Sequence, residues 1–112
     1  KIEQDLPPTQ SNLDPVPNEL GVAGALTALK DNATTGKFLG QNWSFSEHTA
    51  YLGDDPFDAA RAALADASYL IVDAPAETLL AIADLPEADG KLIFNTGAGA
   101  PELRGDACRS NI

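Results

Sequence analysis

The chain has 112 residues, 44% of them hydrophobic, which is enough for one domain with a small core. Its 17 acidic and 7 basic residues give a formal net charge of −10, which disfavours binding to nucleic acid or to an anionic membrane. No apolar run approaches the ~20 residues that a membrane-spanning helix requires.

The N-terminal stretch, residues 1–18, contains four prolines among polar residues. This composition is incompatible with a helix and predicts an extended connection. Residues 1–4 could form the end of a first strand. Residues 19–112 are predicted to form an α/β portion, with Asn18 as the N-cap of its first helix.

The next segment is predicted to be a helix, a turn and a strand. Residues 21–30 are rich in Ala and Leu, and Asp31 and Asn32 are predicted to end the helix. Gly36 is predicted to supply a turn. The alternation of aromatic and polar residues over residues 42–52 then predicts a strand.

The second half of the chain alternates helical and strand patterns. Asp55 and Pro56 are predicted to be the N-cap and the first residue of a helix. The apolar runs at residues 68–72 and 91–94 predict two central parallel strands that are buried on both faces. The helix between them is predicted to stop at Pro86. This order predicts an α/β fold with a mostly parallel sheet covered by helices.

Five short motifs follow one another along the chain. They are GALTALKDNATTGKFLGQ at residues 24–41, and the segments 54–56, 72–76, 94–98 and 103–109. In this order they resemble type I periplasmic solute-binding proteins of the leucine/isoleucine/valine-binding class. The double threonine followed by KFLGQ is most similar to substrate-binding proteins of ABC transporters associated with PQQ-dependent alcohol dehydrogenase systems.

The resemblance implies part of lobe one of a two-lobed, non-enzymatic periplasmic receptor that needs no cofactor. The receptor would trap a small solute or a metal species between its lobes. It would then pass this ligand to an ABC transporter permease, its only link to the membrane. Members of the class are considerably longer, so the chain is expected to be a fragment of a longer protein.

Two loops are predicted to carry the ligand site, because ligands of open parallel sheets bind beyond the carboxyl ends of the strands. These loops are residues 73–78 and 95–100, and the resemblance assigns ligand binding to the same two loops. It also places residues 3–6 on the side of the cleft. The candidate ligand-binding residues are Asp73, Ala74, Thr78, Asn95, Thr96, Gly97 and Ala98.

Asp73 is the most distinctive of these candidates. A carboxylate at a strand end would accept a cation or hydroxyl groups, and Asp73 is the candidate ligand if a metal binds. An Asx-type turn before Pro75 explains the residue equally well. Amino-acid receptors of the class place a hydroxyl residue after the third strand, whereas the first hydroxyl here is Thr78. An α-amino acid is therefore not the expected ligand.

The single cysteine and the single histidine do not form a catalytic set with any serine. Cys108 is expected to be a buried thiol or to pair with a cysteine outside this segment. His48 has no second His or Cys nearby, so it is expected to be a surface residue and not a metal ligand.

An alternative function comes from the acidic residues Asp54, Asp55 and Asp73. They are similar to the phosphoacceptor pocket of a receiver domain, which would make the chain a small flavodoxin-like or receiver-like signalling or enzyme domain. Against this alternative, Asp54 and Asp55 lie at the start of a predicted helix, whereas the acidic pair of a receiver domain follows the first strand.

Overall fold

The computed structural model describes residues 1–4, 19 and 21–112. The chain divides into two compact units, one made of Lys1–Asp5 and His48–Ile112 and the other of Leu6–Glu47. Most of the predicted N-terminal connection, residues 5–18, lies outside the described residues, and so does the predicted N-cap Asn18.

The unit Leu6–Glu47 contains helix α1, Val22–Leu39, which is longer than predicted. The predicted helix end at Asp31 and Asn32 is wrong, because α1 continues through both residues. The side-chain amide of Asn32 donates to the carbonyl oxygen of Ala28 at 2.9 Å. This local bond satisfies a polar group that could otherwise compete with the helix backbone.

The predicted turn at Gly36 is also wrong, since α1 ends only at Gly40, whose φ of 67° is left-handed. The backbone N–H groups of Gly40 and Gln41 both donate to the carbonyl oxygen of Gly36. A Cβ atom at Gly36 would lie 2.9 Å from the Gln41 carbonyl oxygen and 3.2 Å from the Trp43 indole ring. Gly36 therefore lets the chain fold back over the last turn of α1.

The predicted strand over residues 42–52 is not formed. Within this range, only Ala50 takes part in sheet pairing, as an isolated parallel bridge to Ile2. Alternation of side chains describes the two faces of a strand, but a strand also needs a neighbour for its backbone hydrogen bonds.

The other unit is an α/β structure built on a two-stranded parallel sheet. Its register pairs Tyr69 with Leu92 and Val72 with Asn95. In chain order its elements are α2 (Pro56–Asp66), β1 (Tyr69–Val72), α3 (Ala76–Ala83), a 3₁₀ helix (Pro86–Ala88), β2 (Leu92–Asn95) and a second 3₁₀ helix (Pro101–Arg104).

The predicted start of α2 is confirmed. The carboxylate of Asp55 accepts the backbone N–H of Phe57 at 2.9 Å, and Pro56 is the first helical residue. This arrangement satisfies one of the free N–H groups at the helix start, while proline has no N–H to leave unpaired.

The N-terminal residues extend the hydrogen bonding beyond the end of β1. The backbone N–H of Ile2 donates to the carbonyl oxygen of Asp73 at 2.9 Å. On the other side, the N–H of Glu3 donates to Ala50 and the N–H of Ala50 donates to Lys1, both at 3.0 Å. The chain around Ile2 thus lies between β1 and the residues around Ala50, as a short strand end would.

The C-terminal residues lie against the outer edge of β2. The N–H of Ile93 donates to the carbonyl oxygen of Asn111 at 2.8 Å, and the Asn111 amide donates to the carbonyl oxygen of Ala83 at 2.9 Å. Two hydrogen bonds from Arg109 to Asp84, at 2.6 and 2.9 Å, also hold this segment. The hydrogen bond from Arg109 lowers the pKa of the Asp84 carboxyl, because it stabilises the charged form.

One face of the β1–β2 sheet packs against the helices of this unit. The largest fully buried side chains of this core are Leu64, Leu79, Ile82 and Ile93. The opposite face, which we call the open sheet face, consists of four exposed apolar residues: Tyr69 (70% exposed), Ile71 (58%), Leu92 (40%) and Phe94 (49%).

The prediction that both strands are buried on both faces is therefore wrong. Exposed and buried residues alternate along β1 and β2, because α2 and α3 both belong to the core on one side of the sheet. None of the described helices combines the length and hydropathy that crossing a bilayer demands.

Candidate functional site

The carboxyl ends of three parallel segments meet at one edge of the sheet. Asp73 directly follows β1, Asn95 is the last residue of β2, and Glu3 follows the bridged residue Ile2. Both loops predicted to carry the ligand site, residues 73–78 and 95–100, begin at this edge. Of the predicted cleft segment 3–6, only residues 3 and 4 are among those described.

The two loops contact each other directly. The backbone N–H and the hydroxyl of Thr96 both donate to the carbonyl oxygen of Val72, at 3.0 and 3.2 Å. At Gly97 a Cβ atom would lie 2.6 Å from the Asp73 Oδ1 atom and 2.7 Å from the Ala74 backbone nitrogen. Only glycine permits this approach, so the close contact with the neighbouring loop explains why residue 97 is a glycine.

Asn95 shapes its own loop. Its side-chain Nδ2 donates to the carbonyl oxygen of Ala98 at 2.7 Å, while its Oδ1 accepts the N–H of Ala98 at 2.8 Å. Both ends of the amide, like the Thr96 hydroxyl, thus already have a backbone partner. These polar groups can contact a ligand only with their remaining hydrogen-bonding capacity.

Asp73 differs from Asn95 and Thr96, because its carboxylate has no hydrogen bond to any of the described residues. The residue is half-buried, and within the described part of the chain its side-chain oxygens have no hydrogen bond or ion pair. An Asx-type turn is not formed, since Pro75 has no N–H to donate and the start of α3 has no side-chain cap. The carboxylate therefore keeps its full capacity to accept hydrogen bonds or a cation.

The remaining predicted residues differ in their access to a ligand. Ala74 is completely buried, so its side chain is not accessible to a ligand. Ala98 is partly buried against the core. Thr78 is the third residue of α3 and is half-buried. The structure thus brings Asp73 and Gly97 together, whereas Thr78 lies in the first turn of α3.

The side chains of two further aspartates at this end of the unit accept hydrogen bonds from backbone N–H groups. Asp54 accepts the N–H of Tyr51 at 3.0 Å, and Asp55 caps α2. Together with His48 and Asp58 they line an open groove of about 410 Å³. The described residues contain no group of three His, Cys, Asp or Glu side chains that could hold a metal ion.

The single histidine and the single cysteine lie in different surroundings than expected. His48 is half-buried instead of fully at the surface, and its Nε2 lies 3.6 Å from the Asp66 carboxylate. The interpretation of Cys108 as a buried thiol is wrong, because the residue is exposed.

Comparison with known proteins yields no match to this chain, whether among protein-family models, curated proteins or solved structures.

Proposed function

We propose that the chain is a portion of lobe one of a periplasmic solute-binding protein, the receptor component of an ABC importer linked to PQQ-dependent alcohol oxidation. The ligand binds at the carboxyl edge of the sheet, between this lobe and a second one. Closure of the lobes traps the ligand and presents it to the permease. The protein itself performs no chemical reaction.

The observation that carries this proposal is the carboxylate of Asp73 at the carboxyl end of β1, which has no hydrogen bond or ion pair with any of the described residues. A half-buried carboxylate with no partner among the described residues loses some hydration and gains no compensating bond from those residues. A bound ligand would supply the missing partner. Gly97 supports this role, because it holds the neighbouring loop close to the Asp73 Oδ1 atom while adding no side chain there.

The charges around the edge favour a cationic or hydroxyl-rich ligand. The loops 51–55, 73–78 and 95–100 together contain Asp54, Asp55, Asp73 and Glu77, but no Lys or Arg. The side-chain charges of these loops therefore repel an anionic ligand. A cation with hydroxyl groups, a metal chelate or a metal ion that retains its water ligands fits the carboxylate of Asp73.

A thermal-shift series tests the proposal with calcium, lanthanum, leucine, ethanol and acetate as probes. A ligand that binds only the folded chain stabilises it by about 2.7 kcal/mol at 100 times its dissociation constant. We expect the melting temperature to rise with at least one cationic or hydroxyl-bearing probe and to remain unchanged with acetate. Asp73→Asn should abolish the rise.

The matched control is Asp89→Asn, which removes the same charge from an exposed residue before the amino end of β2, where the side chain has no partner among the described residues. This variant should retain the full ligand-induced rise. An equal rise in the wild type and in Asp73→Asn would place the ligand elsewhere, and the absence of a rise with every probe would contradict the receptor function.

A further inference from the structure

We draw no further inference here: the strongest candidate, the open sheet face of β1 and β2, carries none, because nothing in the described part of the chain shows what covers it.

Discussion

Neighbouring polar residues at the strand-end edge have different roles, which depend on their hydrogen-bond partners. Asn95 and Thr96 bond to backbone groups, whereas the carboxylate of Asp73 bonds to none of the described residues. A pattern of polar residues after a strand indicates all three as site residues. Only the hydrogen bonds distinguish Asn95 and Thr96, which hold their loop in place, from Asp73, whose carboxylate has no partner among the described residues.

Gly97→Ala is predicted to be destabilising, because the new Cβ would overlap the backbone of Ala74 as well as the Asp73 carboxylate. The carboxylate could rotate away, but the backbone atoms cannot move without separating the two loops. We expect a loss of about 1–3 kcal/mol in the free energy of unfolding, measured by urea denaturation.

Gly99→Ala is the control for this substitution, since no atom lies within 4 Å of the position of its Cβ. Its effect should stay within about 0.5 kcal/mol. Equal stabilities of the two variants would show that the loops do not approach each other as closely as described.

The pair of Arg109 and Asp84 predicts a pH dependence of stability. Because the folded chain lowers the pKa of Asp84, the carboxylate contributes stability above the ordinary Asp pKa of about 3.9. This contribution is lost as the pH falls through the lowered pKa of Asp84 in the folded chain, because the carboxylate then takes up a proton in the folded state as well. Asp84→Asn should therefore be less stable than the wild type at pH 7 and equally stable at strongly acidic pH.

Chemical denaturation at several pH values measures this difference, with Asp106→Asn as the control. Asp106 is exposed and has no partner among the described residues. If Asp84→Asn remains less stable than the wild type by the same amount at acidic pH, the ion pair with Arg109 is not the cause of the difference in stability.

Isoleucine is expected to contribute very differently to stability on the two faces of the sheet. Ile93 in β2 is 1% exposed, whereas Ile71 in β1 is 58% exposed on the open sheet face. Ile93→Ala should cost about 2–5 kcal/mol of unfolding free energy, because it leaves a cavity in the core. Ile71→Ala should cost under about 1 kcal/mol, mostly through the lower strand propensity of alanine.

Thermal or urea unfolding of both variants tests this comparison directly. Comparable losses at the two positions, at a protein concentration too low for self-association, would contradict the exposure of Ile71.

Helix α1 shows that local signals alone do not set the end of an element. Asp, Asn, Thr and Gly all occur between residues 31 and 36, and each is a poor residue for a helix interior. The helix nevertheless continues, because the Asn32 amide bonds within the helix and Gly36 accommodates the returning chain. The left-handed Gly40 then ends it.

For the whole molecule, the open sheet face presents four large apolar side chains to solvent. Exposed apolar clusters of this kind promote association. We expect the purified chain to self-associate as its concentration rises, and the double variant Ile71→Thr, Phe94→Thr to do so less. Threonine is chosen because it retains a β-branched side chain suited to a strand.

Sedimentation velocity over a range of concentrations measures this association. Phe38→Thr is the control, since Phe38 is 87% exposed but lies on α1 and not on the open sheet face. A double variant that associates as strongly as the wild type would exclude the open sheet face as the cause.

The sequence by itself determined the features that depend on neighbouring residues. The apolar runs of β1 and β2, the Asp55–Pro56 start of α2 and the strand-end position of Asp73 all follow from local patterns. The tertiary structure decided the features that depend on distant residues. Among them are the absence of the predicted strand over residues 42–52, the burial of only one sheet face, and the lack of a hydrogen-bond partner for the Asp73 carboxylate among the described residues. The physical reason is that burial and hydrogen bonding are satisfied by whichever groups the fold brings close.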